Sequence, residues 1–270
     1  SLVVVAGFGL MIPVAYIFCL VWPQVQAAIA SLQVFLTSAG VFGVWLYTFL
    51  ERFLIPTGLH HFVYLPFIFG PAIVDNGIQP YWLEHIRQFA QSTQPLIELF
   101  PQGGFALHGM SKVFGCPGIA LAMYYTAKPE RRKKIAALVV PAAIVAAVCG
   151  ITEPLEFTFL FIAPALFAVH AVLAATLAAT MYTFGVTGYF GGGLIDCFFQ
   201  NWIPLWSNHS GTYITQIAIG LCFTAIYFFV FKFLILHFDF KTPGRGDDEG
   251  GDKLFTKADY KAREGKGGAS

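Results

Sequence analysis

Between positions 1 and 238 the chain carries only 17 charged side chains, nine Lys or Arg and eight Asp or Glu, out of 16 and 15 in the whole sequence. A folded domain in water has about a quarter of its residues charged, and so few cannot cover a water-facing surface. The body is therefore expected to lie in lipid. The seven cations and seven anions of residues 239–270 form the water-soluble end. The net charge of +1 gives no basic face of the kind that nucleic acid requires, so that partner is excluded. The five cysteines, Cys19, Cys116, Cys149, Cys197 and Cys222, sit in apolar settings without CxxC spacing, and neither zinc nor a disulfide framework is indicated. The chain opens on Ser1, with no Met and no basic n-region, so no signal peptide is read. An apolar run that begins at residue 2 reads as a fragment whose first membrane spans are missing.

The distribution of breakers predicts an all-α, polytopic membrane protein with broken helices and re-entrant hairpins. Residues 2–22 are long enough to cross a bilayer at about 20 residues per span, with a kink expected at Pro13. Residues 24–38 read as a more polar helix at the interface or against other helices, and 40–50 as another apolar run. Residues 54–74 are apolar yet contain Pro56, Gly58, Pro66, Gly70 and Pro71. Broken backbone survives at membrane depth only where it is buried in protein or lines a polar cavity. Residues 75–102 read as an interfacial excursion with amphipathic helix character. Residues 103–127 read as a re-entrant hairpin turning at Gly115-Cys116-Pro117-Gly118. KPERRKK at 128–134 belongs in the cytoplasm by the positive-inside rule. Beyond it lie apolar runs at 135–150, 157–182 and 213–238. If the tail is also cytoplasmic, an even number of crossings needs either a re-entrant segment or a further span hidden in 184–205. The domain division is thus 1–238 in the membrane and 239–270 as a disordered polar linker.

Polar groups inside a membrane body are costly, and three sets stand out as candidates for function. The first is Glu51-Arg52 followed by Thr57-Gly58-Leu59-His60-His61. The paired histidines fit interhelical hydrogen bonding, metal binding or capture of substrate hydroxyls. The metal reading lacks a third and fourth ligand at suitable spacing. The second set is Gly150-Ile151-Thr152-Glu153-Pro154-Leu155-Glu156, two carboxylates around a proline between apolar runs. It reads as a solvated loop or as a backbone break that lines a site. The third, GYFGGGLID at 188–196, has no preceding strand and no following Lys, so a phosphate cradle fails and close packing is favoured. Asn208-His209-Ser210 matches a glycosylation sequon to which no weight is given.

Four segments occur in a fixed order: GLHHF (58–62), FGCPGIALAMYYTAKPE (114–130), GITEPLEF (150–157) and FDFKTPGR (238–245). Together they resemble the membrane-embedded IIC domain of the bacterial phosphoenolpyruvate-dependent sugar phosphotransferase system, glucose superfamily. GLHH followed by FVYLPF is similar to the α-glucoside and maltose branch. The resemblance implies a sugar permease of the bacterial cytoplasmic membrane that carries an α-glucoside such as maltose, or glucose, and presents its 6-hydroxyl for phosphorylation. It implies Glu153 and His60 as catalytic groups, with Glu153 as the base. His61, Thr152, Arg52 and Glu156 then stand as substrate-binding residues, with no metal and no cofactor. The phosphoryl donor in such systems is a phosphocysteine on a IIB domain served by IIA. No Cys follows Arg245 in this sequence, so it is expected to hold no IIB domain and to need one added for phosphorylation. A homodimer in the bilayer is also implied.

The rival readings are an ion-coupled secondary transporter of a polar solute, a metal-dependent membrane hydrolase, and a structural membrane subunit. Proton or sodium dependence, loss of activity with chelator, and absence of small-molecule binding distinguish them in turn.

Overall fold

The computed structural model describes residues 2–246, and these contain helices of three kinds and no strand. Helix α1 (Leu2–Ser38) runs 37 residues through both Pro13 and Pro23, so the two segments expected at 2–22 and 24–38 are one helix. A one-residue break at Ala39 begins α2 (Gly40–Phe53). The breaker-rich stretch that follows forms a 3₁₀ turn (Ile55–Thr57), the short α3 (His60–Ile68) and a turn-rich link to α4 (Ile78–Gln91). Helix α4 is amphipathic as expected, with Ile78, Trp82 and Phe89 buried on one face. The four-residue α5 (Leu96–Leu99) precedes an irregular run.

That run corrects the hairpin expected at residues 103–127. A 3₁₀ segment (Pro101–Gly109) passes into a π-helical turn (Ser111–Gly115) and then into α6 (Cys116–Thr126). Gly115 and Cys116 have helical dihedrals (φ −75° and −58°), and Pro117 follows directly on the π turn, whose longer bond runs from Cys116 N to Ser111 O. The wider π turn just before it makes room for the ring. Where a turn was expected, the backbone stays helical.

Helix α7 (Arg132–Cys149) leads through a short break to α8 (Glu153–Leu160) and α9 (Pro164–Thr183). After the glycine-rich stretch come α10 (Leu194–Asp196), a π turn (Cys197–Trp202) and α11 (Ile203–His237). These three form one helical run, Leu194–His237, so residues 194–205 continue into the last apolar helix and are not the separate further span that was one of the two alternatives there. This run and α9 are the described helices long and apolar enough to cross a bilayer. Helix α2 packs along α9, and α6 along α11. Ala171, Ala174, Ala175 and Ala178 are buried on α9, and such small residues let helices approach closely where lipid provides no hydrophobic drive. The outward side chains are large and apolar, Leu221, Phe229, Phe233 and Leu236 on α11 among them, a surface suited to lipid rather than water.

The polar contacts mend the breaks. Pro204 has no N–H to offer the carbonyl of Gln200 four residues earlier, and that carbonyl accepts from the Trp82 indole at 2.7 Å. At the non-helical His209 (φ −123°), α11 is kinked. There His209 Nε2 donates to Phe89 O at 2.9 Å and Asn208 Nδ2 to Ala90 O at 2.8 Å, satisfying carbonyls at the α4 end.

Residues 239–246 are not the loose linker expected of them. They fold back on the turn between α6 and α7: Arg245 donates to Thr126 O at 3.0 Å, Lys128 N to Gly244 O at 3.2 Å, and Arg131 to Gly246 O at 2.7 Å. The rest of the expected linker, 247–270, lies outside the described residues. Lys241 and Arg245 hold the Asp239 carboxyl below the usual carboxylate range. Because that shift is downward, its contribution is complete above the ordinary carboxylate pKa and is lost as pH falls through the lowered one. Arg245→Ala is expected to release this clasp. Limited proteolysis in detergent should then cut near residue 245 several-fold faster, with the melting temperature changed little.

Candidate functional site

The site is built where helices stop. The C-terminal end of α2 supplies Glu51 and Arg52, and the first residues of α3 supply His60 and His61. The 3₁₀-to-π junction supplies His108 and Lys112, the α7–α8 break supplies Thr152 and Glu153, and the glycine-rich stretch supplies Tyr189, Gly191 and Gly192. All of them line one cavity of about 260 Å³. Two glycines allow the closure. Gly150 caps α7 in the left-handed region (φ 74°), and a Cβ on it would lie 2.9 Å from the Gly192 backbone. Gly109 lies so close to Phe190 that an added Cβ would run into its carbonyl.

Arg52 is the centre of the polar network and is 1% exposed. Its Nη1 donates to Thr152 Oγ1 at 3.2 Å and to Glu156 Oε1 at 3.4 Å, and its Nη2 donates to His108 O at 3.1 Å. Its Nε lies 3.2 Å from Glu51 Oε2, an ion pair without hydrogen-bond alignment. Glu156 Oε1 also meets His170 Nε2 at 3.1 Å, and the Tyr227 hydroxyl donates to His170 O at 3.2 Å. Two carboxylates thus flank one guanidinium, the arrangement a buried charge needs.

Glu153 and Glu156 sit one turn apart at the start of α8 and have different surroundings. Glu153 is half-buried, lines the cavity and has no hydrogen-bond partner among the described residues. Glu156 is fully buried behind Arg52 and does not line the cavity. Glu156, expected among the substrate-binding residues, stands off the cavity wall: with one oxygen held by Arg52 and His170, it anchors the cation. Arg52, His60, His61, Thr152 and Glu153 all line this one cavity.

One wall is aromatic. The His60 and His61 rings are 4.0 Å apart, and Tyr64 lies 6.0 Å and 5.4 Å from them. His60 Nδ1 is buried without a partner. The opposite wall is backbone from the glycine-rich stretch, held by three side chains. Lys112 Nζ donates to Gly191 O at 2.9 Å, Asp196 accepts from Gly192 N, and Asn201 brackets the peptide of Tyr189. The stretch that the sequence favoured as packing is thus also cavity wall. His108, Lys112, Tyr64 and Tyr189 were not among the expected site residues. His108 and Lys112 did carry a signal, two ionisable groups four apart in an apolar run. His108 Nδ1 donates to Phe105 O at 3.0 Å, which leaves its Nε2 as an acceptor.

Chemically the cavity offers a free carboxylate, imidazoles, a hydroxyl and two cations around a compact polar space. That inventory suits a ligand rich in hydroxyls. Among the described residues no three His, Cys, Asp or Glu gather as metal ligands would.

The family described as "Phosphotransferase system, EIIC" matches residues 1–175. A "PTS system alpha-glucoside-specific EIICB component" of Leptotrichia buccalis is 66% identical over 267 residues, 99% of this chain and 50% of that protein. One of the same description from Klebsiella pneumoniae is 63% identical over 267 residues, 98% of this chain and 49% of that protein. A "PTS system maltose-specific EIICB component" of Bacillus subtilis is 59% identical over 265 residues, 98% of this chain and 50% of that protein. The chain spans about half the length of these curated relatives.

Arg52→Met is expected to destabilise the fold by about 3–5 kcal/mol, because it leaves Glu51 and Glu156 buried without their cation. Thermal unfolding in detergent, read by tryptophan fluorescence, measures this. A melting temperature within a degree or two of the parent would contradict the role given to the network.

Proposed function

Since the chain belongs to the EIIC family of the phosphotransferase system, a family of membrane sugar-transport components, we propose that it binds and carries an α-glucoside, with maltose the first sugar to test. The observation that carries this reading is the meeting of Glu153, His60, His61, Thr152 and Arg52 around one cavity in which the Glu153 carboxylate has no partner among the described residues. An unpaired carboxylate in a small polar cavity is a ready acceptor for a sugar hydroxyl, and Thr152 and the imidazoles supply further hydrogen bonds. The names of the relatives support the sugar class.

The chemistry follows from these groups. The sugar 6-hydroxyl attacks the phosphorus of a phosphocysteine carried by a IIB domain, which IIA recharges. The new O–P bond forms as the S–P bond breaks, the thiolate leaves with the electron pair, and Glu153 takes the hydroxyl proton. His60 orients the hydroxyl. Phosphoryl transfer needs positioning and charge stabilisation above all, which Arg52 and Lys112 supply from the cavity wall. Glu156 keeps Arg52 in place.

The setting is the bacterial cytoplasmic membrane, crossed several times by residues 1–238, with the protein working as a homodimer. KPERRKK faces the cytoplasm. The breaker-rich stretch at 54–74 enters the membrane and returns, which puts His60 and His61 at depth.

Equilibrium binding of radiolabelled maltose to the purified protein in detergent tests the reading. Glu153→Ala and His60→Ala are each expected to weaken binding about ten- to hundredfold, the worth of a hydrogen bond to a charged group. Binding of glucose or another glucoside in place of maltose would keep the permease and change its sugar. Absence of any saturable sugar binding, or proton- or sodium-dependent binding of another solute, would overturn the proposal. A second expectation concerns the proton. Glu153→Gln should retain much of the sugar affinity while transfer from added phosphorylated IIB falls about 10²- to 10⁴-fold, the range of general-base catalysis.

A further inference from the structure

A second cavity, about 660 Å³, opens between α6 and α7 and shares no lining residue with the site above. It runs from Tyr124 and Ala136 to Val148, with the buried Ala143 in its floor and Val140 and Ile144 exposed at its rim. From 136 to 148 is twelve residues, about 18 Å along a helix, close to the thickness of one leaflet of an ~30 Å hydrocarbon core.

One end of this groove is cationic. Arg132 lies one helical turn before Ala136, on the stripe that continues through Val140 and Ile144. Its guanidinium sits 5.9 Å from the centre of the Tyr124 ring, which lines the groove. Arg132 Nη2 donates to Tyr125 O at 3.3 Å, while its Nε is buried without a partner. Lys133 is exposed beside it, and Glu130 is the nearby acid in the loop. Arg131, by contrast, is turned to the clasp and binds Gly246 O.

We propose that this groove binds an anionic glycerophospholipid, one acyl chain lying along α7 and the phosphate meeting Arg132 and Lys133. The occupant follows from the charge and the shape together. An apolar trough one leaflet long that ends in a half-buried guanidinium beside an exposed ammonium fits a tethered anion, whereas a neutral lipid would leave that charge unanswered. The inference is independent of the sugar bound in the other cavity.

Native mass spectrometry of the delipidated protein, titrated with phosphatidylglycerol or phosphatidylcholine of identical chains, tests it. Phosphatidylglycerol should be held about tenfold more tightly, because basic residues at a membrane surface attract an anionic headgroup and not a zwitterionic one. Arg132→Gln should weaken the preference for phosphatidylglycerol, Arg132→Gln with Lys133→Gln should bring the two lipids level, and Ala143→Phe should reduce retention of both. A phosphatidylglycerol bearing a diazirine in its acyl chain, used on the unaltered protein, should crosslink to the groove's own lining, the peptides spanning 117–124 and 136–148 and that of Leu194. Equal retention of the two lipids, a preference that survives the double substitution of Arg132 and Lys133, or crosslinks spread over helices that do not line the groove would overturn the proposal. Those results would assign the groove to a protein segment or to bulk lipid.

Discussion

A guanidinium that is 1% exposed must find its counter-charges within the protein, and the way Arg52 does so organises the fold around it. Its partners come from α2, from the 3₁₀ segment before α6 and from the start of α8, three stretches as far as 104 residues apart in the chain. Each contact fixes the end of a helix. Glu156 and Thr152 can reach Arg52 only if α8 begins where it does, and that start depends on the turn at Gly150. His108 presents its carbonyl only because the chain there is 3₁₀ and not α. The cavity is what remains between helix ends pinned in this way.

The same logic explains why breakers concentrate where they do. In a lipid-embedded body an interrupted helix exposes amides and carbonyls that have nowhere to turn except inward. Here some of them are satisfied by single side chains from distant helices, as Trp82 does for Gln200 and His209 for Phe89. Others face the cavity. The glycines, prolines and π turns are therefore one system with the polar residues, since they decide where a polar group is tolerated.

Much of this was legible in the sequence, for a physical reason. A charge in an apolar run is expensive, so Arg52, His60, His61 and Glu153 announce themselves by being present at all. Their meeting place was legible only through the family resemblance, because sequence spacing alone does not say that residues 52 and 153 touch. Glu156 misled because two glutamates three apart look equivalent, while one turn of helix sends one to the cavity and the other behind Arg52. Pro117 misled because a proline after a π turn sits in a first helical turn rather than ending one. Lys112 and Tyr189 went unread because their parts depend on where a glycine-rich stretch is anchored, and its anchor, Asn201, looks like any buried amide.

The walls of the cavity differ in kind, and that asymmetry bears on how such a site can diversify. The side formed by Gly191 and Gly192 is main chain, and a β-carbon on Gly192 would meet the Asp196 carboxylate 2.5 Å away. It has almost no freedom to be rewritten by substitution. The facing side is made of side chains, Tyr64 and Phe69 among them, that are partly exposed and can be exchanged without moving the backbone. New ligand preferences would accordingly arise on the aromatic side, with the glycine wall staying as the fixed template against which they are cut.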